Sequence, residues 1–340
     1  MNNRISSIWL TTNRACNLKC TWCYAEDSDP RETMKLSQAK KIVNFSKQVG
    51  TNNIFLIGGE PTLYPHMTDL LREIEGLGLS STLVTNGISL SDKSMIDKLV
   101  TAGLTRANIS IKAESDREYL NLCGIKAYSD VVQALQNLKE GNLPFGVSLV
   151  ISKYNYTKLP EIMAEISKVY DGTMQLSFCR PTFNTNGFNS KNDCSLMPKE
   201  YISEFQKAYH RIDTILKGKL SLHQGLPLCM WEKEIIHEMN EKGQLTSVCH
   251  IYERSGLVFN TQGEVLMCNA VPHYPIGKFE DSFWDEKSFD EFWEDPSVKC
   301  LYEKLTCAPS KTCTKCNDYL KCGGGCAMQW FKYDFNEMKG

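Results

Sequence analysis

The chain has 340 residues, an apolar fraction of 42% and a formal net charge of −2. The apolar fraction excludes a disordered chain, and the charge leaves no basic excess for binding nucleic-acid phosphates. No apolar run is long enough to span a bilayer, and residues 1–10 lack the apolar core of a signal peptide. We therefore expect a cytoplasmic protein with neither nucleic acid nor membrane as a partner.

The first half of the sequence alternates six strand patterns with amphipathic helix patterns. This alternation predicts parallel β/α units, which right-handed crossovers curl into a partial (β/α)6, TIM-like barrel of the α/β class. In such barrels the chemistry lies at the carboxyl ends of the strands. The predicted strands are Ser7–Thr11, Asn53–Ile57, Ser81–Thr85, Ala107–Ile111, Gly146–Ile151 and Met174–Cys179; the predicted helices are Ser37–Val49, Tyr64–Leu77, Ser91–Ala102 (N-cap Ser91), Ser129–Glu140 and Lys158–Val169.

The pattern changes in the second half of the chain. Residues 183–198 are rich in Asn, Ser and Gly and predict a loop, and a helix is expected over Lys199–Leu216. Short strands at Gly256–Asn260 and Glu264–Cys268 then stand among turns and cysteines. We place a soft boundary between about residues 220 and 248. The predicted domains are a barrel over 1–235 and a cysteine-rich extension over 236–340.

Fifteen cysteines are the main anomaly of the composition. Cytosolic thiols stay reduced, so metal binding is a more natural use for them than disulfides. Three of them fall within eight residues near the start, and eight fall between Cys249 and Cys326. Cys123, Cys179 and Cys194 stand apart from both groups, and we interpret them as core residues.

The first group, Cys16, Cys20 and Cys23, forms a C-x3-C-x2-C run directly after the first predicted strand. Three thiolates alone do not complete a tetrahedral zinc site. They can hold three irons of a [4Fe–4S] cubane and leave the fourth iron open. Buried thiols, or a zinc site with a distant fourth ligand, are the alternatives that the spacing leaves open.

With Trp22 at the aromatic position, the run resembles the C-x3-C-x-aromatic-C signature of radical S-adenosylmethionine (SAM) enzymes. The resemblance implies a [4Fe–4S] cluster on Cys16, Cys20 and Cys23, with SAM bound to the open iron. It also implies reductive cleavage of SAM to methionine and a 5′-deoxyadenosyl radical, which abstracts hydrogen from a substrate. A flavodoxin- or ferredoxin-type protein is the implied electron donor.

Three further segments at predicted strand ends fit the resemblance. Gly58, Gly59 and Glu60 match the family's GGE motif, in which the glycines allow close backbone approach and Glu60 accepts the SAM ammonium. Asn86, within Thr-Asn-Gly, matches a similar segment in many relatives, although a simple Asn-Gly turn explains it as well.

The third segment contains Ser110 and Lys112. It resembles the D-x-K segment of glycyl-radical activating enzymes, with Ser110 in place of the aspartate. The resemblance implies that Lys112 pairs with the SAM carboxylate; an exposed lysine is the alternative reading. Arg180, after the sixth strand, is a second candidate, because a guanidinium suits a carboxylate geometrically.

The C-terminal cysteines resemble the SPASM extension of radical SAM enzymes. Cys249 is followed by thirteen residues, a glycine, four residues and Cys268, and then by a C-x2-C-x5-C-x3-C run. A zinc ribbon is the rival interpretation. The resemblance implies two auxiliary [4Fe–4S] clusters, one held by Cys249, Cys268 and Cys326, the other by Cys313, Cys316 and Cys322.

Two departures from the SPASM pattern concern the fourth ligands. No cysteine follows Cys326, and none lies between Cys249 and Cys268. We therefore expect each auxiliary cluster to use a substitute ligand or to keep an open iron, unless the sequence stops short of the native C-terminus. The candidate substitutes are Cys229, Cys300, Cys307, Asp334 and Glu337.

The resemblance favours oxidation or cross-linking of a ribosomally made peptide or protein. Asn269 stands where sulfatase-maturing enzymes carry a basic aspartate, so that activity is disfavoured. Only fifteen residues precede Cys16, which weakens the peptide hypothesis because many peptide maturases begin with a leader-binding domain. One alternative is a dehydrogenase or epimerase that acts on an aminocyclitol or sugar. Another is an iron–sulfur electron carrier, but the GGE motif argues against it because a carrier does not bind SAM. The sequence assigns no catalytic side chain.

Overall fold

The computed structural model of the protein describes residues 5–190, 193–223, 225–246 and 249–338. The six predicted strands and the helices between them are present, with α4 as an addition that the sequence analysis missed. The elements of the first half are β1 (Ser7–Thr11), α1 (Leu36–Gln48), β2 (Asn53–Ile57), α2 (Met67–Gly76), β3 (Ser80–Thr85), α3 (Lys93–Thr101), β4 (Arg106–Ile111), α4 (Asp116–Cys123), α5 (Tyr128–Glu140), β5 (Phe145–Ile151), α6 (Leu159–Ile166) and β6 (Met174–Phe178).

The second half contains more regular structure than its turn-rich sequence predicts. The segment 183–198 includes a small hairpin, and two helices lie before the last cysteine run. The elements are β7 (Phe183–Asn184), β8 (Gly187–Phe188), α7 (Pro198–Leu216), β9 (Leu220–His223), α8 (Lys233–Glu241), β10 (Leu245–Thr246), α9 (His250–Glu253), β11 (Gly256–Phe259), β12 (Glu264–Leu266), β13 (Pro275–Lys278), α10 (Glu286–Glu294), α11 (Pro296–Thr306), α12 (Tyr319–Cys322) and α13 (Ala327–Trp330).

Eleven strands form one sheet in the order β10-β9-β6-β5-β4-β3-β2-β1-β11-β12-β13. Strands β1 to β6 are parallel neighbours in chain order, which confirms the predicted partial barrel. Strand β11 pairs parallel with β1, and β12 and β13 follow antiparallel. The predicted boundary at residue 235 falls inside α8, and the sheet runs through both parts. The cysteine-rich extension is thus hydrogen-bonded, through β11, to β1, the strand that leads into the first cysteine group.

The parallel strands bury one face under the helices and leave the other face half-open and polar. On β9, for example, Leu220 and Leu222 are buried, whereas Ser221 and His223 are half-buried. A sheet strand with this alternation has one side in the core and one side facing solvent or a ligand. The half-buried polar residues on the inner face are Asn108, Ser110, Ser148, Gln175, Ser177, Ser221 and His223.

An aromatic cluster holds the extension against the barrel. The ring of Phe45, on α1, lies 5.1 Å from Phe283 and 5.2 Å from Phe289, centroid to centroid. Phe283 and Phe289 come from the C-terminal part of the chain and are fully buried. Aromatic pairs at these distances add to the stability given by burial. The two parts therefore share one hydrophobic core.

The N-cap of helix α3 lies one residue later than predicted. The predicted N-cap, Ser91, ends a 3₁₀ helix that starts at Ile88, and its hydroxyl bonds to the Ile88 carbonyl. Asp92 is the N-cap instead, because its carboxylate accepts from the backbone N–H of Ser94. Within the described ranges, no helix combines the length and apolarity needed to cross a bilayer.

Candidate active site at the carboxyl edge of the sheet

The Cys16–Cys23 loop leaves the carboxyl end of β1 and is clamped on two sides by backbone hydrogen bonds. On one side, Gly59 N–H donates to the Asn13 carbonyl at 2.8 Å, in the stretch that leads into the loop. On the other side, Lys19 and Thr21 donate to the carbonyls of Cys123 and Leu122, at the end of α4, at 2.9 and 3.0 Å. The loop conformation is therefore set by β2 and α4 as well as by its own sequence.

The two glycines of the GGE motif are required by this close contact. A Cβ on Gly58 would lie 2.6 Å from the Asn13 carbonyl oxygen. A Cβ on Gly59 would lie 2.3 Å from the Arg14 carbonyl oxygen and 2.4 Å from that of Ala15. These distances are far below van der Waals contact, so any side chain would push the loops apart. The two glycines therefore allow one backbone segment to pack closely against another. A close approach of the same glycines to a ligand stays a prediction.

The Glu60 carboxylate joins the ends of β2 and β3. Its Oε1 accepts from Thr62 N, from the Thr62 hydroxyl and from the Thr85 hydroxyl, at 3.1, 2.7 and 2.6 Å. Its Oε2 accepts from the backbone N–H of Asn86 at 2.8 Å. Oε1 thus carries three of these hydrogen bonds and Oε2 only one, so Oε2 is the oxygen more open to a further donor, such as the predicted SAM ammonium.

Asn86 extends this network to the cysteine loop. Its Nδ2 donates to Asn17 Oδ1 at 2.7 Å, and its Oδ1 accepts from Ile88 N at 3.0 Å. Gly87 follows with a left-handed φ of 85°, which favours glycine. Thr-Asn-Gly is therefore a turn and also a link between the third strand end and the first cysteine group.

The three loop thiols differ in their surroundings. Cys16 is exposed, whereas Cys20 and Cys23 are half-buried. The Cys20 sulfur lies 3.7 Å from the sulfur of Cys123, and the Cys194 thiol donates to the Thr21 carbonyl at 3.3 Å. Cys123 and Cys194 are buried, as predicted for core residues. They also border the loop, a contact that sequence spacing gave no means to detect.

Two cationic side chains lie beside the loop. Lys112 donates from Nζ to Ser110 Oγ at 2.6 Å, and its charge, together with the Cys123 thiol as the larger cause, lowers the pKa of Cys20. Arg14, missed by the sequence analysis, is 8% exposed. Its Nε and Nη1 have no hydrogen-bond partner in the part of the chain that the structure describes. Buried polar atoms normally have partners, so these nitrogens indicate room for an anionic ligand.

Arg180 and Trp22 occupy different positions. Trp22 is half-buried and packs against the core. Arg180 Nη1 lies 3.9 Å from the sulfur of Cys268, and the pKa of Arg180 is raised chiefly by that thiol, with smaller contributions from Cys326 and Cys249. The structure therefore places Arg180 among the C-terminal cysteines. A contact between Arg180 and the SAM carboxylate stays a prediction. The position of Arg180 beside Cys268 does not favour that contact.

A cavity lies between the barrel and the C-terminal cysteines. Burial raises the pKa of Cys249 to about 12, and the carboxamide Oε1 of Gln329 is buried with no partner among the described residues. Three glycines with φ of 58°, 74° and 82° turn the chain between Cys322 and Cys326, so that both cysteines reach the same cavity. The residues that line it include Arg180, His223, Cys249, Cys322, Cys326 and Gln329.

The remaining predicted ligands lie around Tyr319. Burial raises the pKa of Tyr319, and the thiols of Cys313, Cys307 and Cys322 add to the shift, so these groups lie near the phenol. Cys313 is buried and Cys316 is exposed. Among the candidate substitute ligands, Cys307 therefore lies close to the second group.

Neither cysteine group is arranged for a single ion. Among the described residues, no three His, Cys, Asp or Glu side chains could hold one metal ion together. A cubane places each thiolate on a different iron and so tolerates wider separations. The orphaned atoms of Arg14 and Gln329, one beside each group, are the second observation in favour of bound groups at both places. The residues of the first group thus fit a [4Fe–4S] cluster with SAM, and auxiliary clusters at the C-terminal cysteines stay a prediction.

Comparison with known proteins agrees with this geometry. The profile of the Radical SAM superfamily matches residues 10–166, which run from the end of β1 through α6 and include the first cysteine group. The chain therefore carries a radical SAM domain over these residues.

Two named relatives match the sequence more loosely. A probable GTP 3′,8-cyclase of Pyrococcus abyssi is 26% identical over 150 residues, which are 44% of this chain and 48% of that protein. An Fe-coproporphyrin III synthase of Methanosarcina barkeri is 27% identical over 225 residues, 65% of this chain and 53% of that protein. The chain spans about half the length of these relatives.

Solved structures extend the likeness to the cysteine-rich extension. The structure of native anSMEcpe with bound AdoMet has a TM-score of 0.70 at 18% identity and covers 98% of this chain and 97% of that one. Streptococcus suis SuiB bound to the precursor peptide SuiA has a TM-score of 0.70 at 18% identity, covering 95% and 72%. These matches confirm the predicted fold over nearly the whole chain.

Proposed function

We propose that this protein cleaves SAM reductively and uses the resulting radical to abstract hydrogen from a peptide or protein, which is then oxidised or cross-linked. One observation carries the proposal: the Cys16–Cys23 loop, the GGE loop and the Thr-Asn-Gly turn meet at the carboxyl edge of the parallel sheet in one hydrogen-bonded network. That edge is where barrel enzymes carry out their chemistry.

The residues at this edge have separate tasks. Cys16, Cys20 and Cys23 would hold the SAM-binding cluster, and Glu60 would accept the SAM ammonium on Oε2. Arg14 and Lys112 are the cations available for the SAM carboxylate. When bound, the clusters supply the electron that splits SAM and, at the C-terminal cysteines, an acceptor for the electron that an oxidised substrate gives up. The half-open polar face of β4, β5, β6 and β9 offers the substrate a partly shielded place beside the loop.

A peptide substrate is supported by the whole-chain fold likeness, because SuiB, one of the similar structures, is described as bound to its precursor peptide. A small-molecule substrate is the second candidate. It is favoured by the sequence likeness to Fe-coproporphyrin III synthase, which covers 65% of this chain. A flavodoxin or ferredoxin remains the proposed electron donor for either reaction.

The experiment separates the two steps. Anaerobically reconstituted protein is incubated with SAM and a reductant, and 5′-deoxyadenosine is measured by chromatography. Its absence would contradict the proposal. Any short peptides encoded beside the gene are then added, and their masses are followed. A peptide that loses two hydrogens supports peptide oxidation, whereas unchanged peptides with a small molecule that stimulates turnover would favour the second candidate.

A further inference from the structure

The cavity beside the C-terminal cysteines receives one histidine from the barrel. His223 is the last residue of β9, and its register partners are Ser177 on β6 and Thr246 on β10. Cys249 follows β10 by three residues, and Arg180 follows β6 by two. The carboxyl ends of three parallel strands thus bring His223, Arg180 and Cys249 to one place.

The His223 side chain lies on the cavity side of the sheet. Leu220 and Leu222 face the core, so His223 faces the inner side of the sheet and lines the cavity with Cys249, Cys322 and Cys326. Its side chain is half-buried and has no hydrogen-bond partner among the described residues. His250, by contrast, places Nε2 3.1 Å from the Met267 carbonyl oxygen and its ring 4.7 Å from Trp9.

The auxiliary cluster assigned to Cys249, Cys268 and Cys326 has no fourth cysteine ligand in the sequence pattern. Cys249, Cys268 and Cys326 supply three thiolates, and no cysteine lies between the first two. Histidine nitrogen is an established ligand of iron–sulfur clusters in place of thiolate, and it makes the cluster less negative. Arg180, whose Nη1 lies 3.9 Å from the Cys268 sulfur, adds positive charge at this site. Both effects favour the reduced cluster and so raise its potential.

We propose that His223 is the fourth protein ligand of the auxiliary [4Fe–4S] cluster held by Cys249, Cys268 and Cys326. This inference rests on the proposed function, because that function includes the auxiliary clusters. It gives the cluster a complete protein ligand set of three thiolates and one imidazole. The cluster then serves as an electron acceptor rather than as a binding site for substrate.

The test uses the full-length chain with Cys16, Cys20 and Cys23 changed to Ala, so that only auxiliary clusters remain. This protein is labelled with [15N]histidine, reconstituted, reduced and examined by pulsed EPR. A nitrogen coupling that changes with the label is expected. It should be lost in His223→Ala and kept in His237→Ala, a matched control on α8 whose side chain is 75% exposed.

Two further measurements keep the proposal testable if His223→Ala loses its cluster altogether. His223→Cys should retain the iron of the parent and show a lower midpoint potential, because a thiolate replaces a neutral imidazole. After oxidation, His223→Ala should show a three-iron signal from loss of the iron that has no protein ligand.

The outcomes separate the two hypotheses. Full auxiliary iron, about eight atoms per chain, without histidine coupling would overturn the role of His223 and leave the proposed function standing. A chain that binds no iron at the C-terminal cysteines would overturn both. An unchanged potential in His223→Cys would likewise contradict ligation by the imidazole.

Discussion

The two cysteine groups are built in opposite ways. The first places three thiols on one eight-residue loop, whose backbone is fixed by β2 and α4. The second collects its thiols from α12, from a 3₁₀ helix and from residues that flank α9, β12 and α13, over a span from Cys249 to Cys326. The first site is thus a local motif stabilised by its neighbours, whereas the second exists only once distant segments have packed.

This difference has a thermodynamic consequence. A loop already held by backbone hydrogen bonds loses little structure when its ligands are removed. A site whose ligands come from several short elements depends on metal for part of its folding energy. We therefore expect changes at the first site to abolish chemistry and leave the fold, and changes at the second to affect both product formation and stability.

The largest effect is expected when Cys16, Cys20 and Cys23 are changed to Ala together. Formation of 5′-deoxyadenosine should be abolished, and iron should fall from about twelve to about eight atoms per chain, because different thiolates hold the auxiliary clusters. Chromatography and iron analysis measure these two quantities. The double variant Lys19→Ala/Glu26→Ala, which changes exposed side chains in or next to the loop, serves as the control. SAM cleavage by the triple variant would show that the active site lies elsewhere.

The next effect concerns Cys313 and Cys316. Changing both to Ala should leave SAM cleavage largely intact and block the mature product, because substrate oxidation needs a second electron acceptor. Product mass and 5′-deoxyadenosine are measured in the same reaction. Circular dichroism must first match the parent, since this part of the chain depends on metal for folding. Full product yield would make the second cluster structural, or the reaction redox-neutral, as in an epimerisation.

A smaller effect is expected from Gly59→Ala, which tests the clamp on the first loop. Because the new Cβ would lie 2.3 Å from the Arg14 carbonyl oxygen, the loops must separate. We expect SAM cleavage to fall about 100-fold from misplacement of the site, and the free energy of unfolding to fall by about 1–3 kcal/mol.

Gly76→Ala is the matched control for this variant. Its Cβ would meet nothing within 4 Å at the end of α2, so a gain of about 0.5–1 kcal/mol is expected in denaturant unfolding. Wild-type SAM cleavage by Gly59→Ala would show that the two loops do not need their close contact.

The smallest effect on SAM cleavage is expected from Gly324→Ala, the counterpart at the second site. Gly324 has a φ of 74°, and its Cβ would lie 2.6 Å from Pro309 Cδ. The variant should lose auxiliary iron and about 1–3 kcal/mol of stability, while 5′-deoxyadenosine formation persists. A loss of SAM cleavage equal to that of Gly59→Ala would show that the two sites are coupled. It would contradict the expectation that changes at the second cysteine group spare SAM cleavage.

The sequence predicted the barrel well, because its strands are short apolar runs and its helices have a clear apolar period. It predicted the second half poorly. The short strands β9 and β10 were not predicted, and neither were the helices α10 and α11. On α10, the packing residues Phe289 and Trp293 lie among many charged side chains. Local pattern is weak where elements are stabilised mainly by contacts with distant parts of the chain.

At the candidate site, the sequence by itself determined the three motifs that supply the predicted ligands, because C-x3-C-x2-C, GGE and Thr-Asn-Gly are local patterns with local chemical meaning. Only the tertiary structure decided which other groups meet them. It placed Cys123 against Cys20, left Nε and Nη1 of Arg14 without hydrogen-bond partners among the described residues, placed Arg180 beside Cys268 and put His223 and Cys249 on the wall of one cavity. The physical reason is that a parallel sheet gathers the ends of strands that are far apart in sequence, and no spacing along the chain records which side chains then share one cavity.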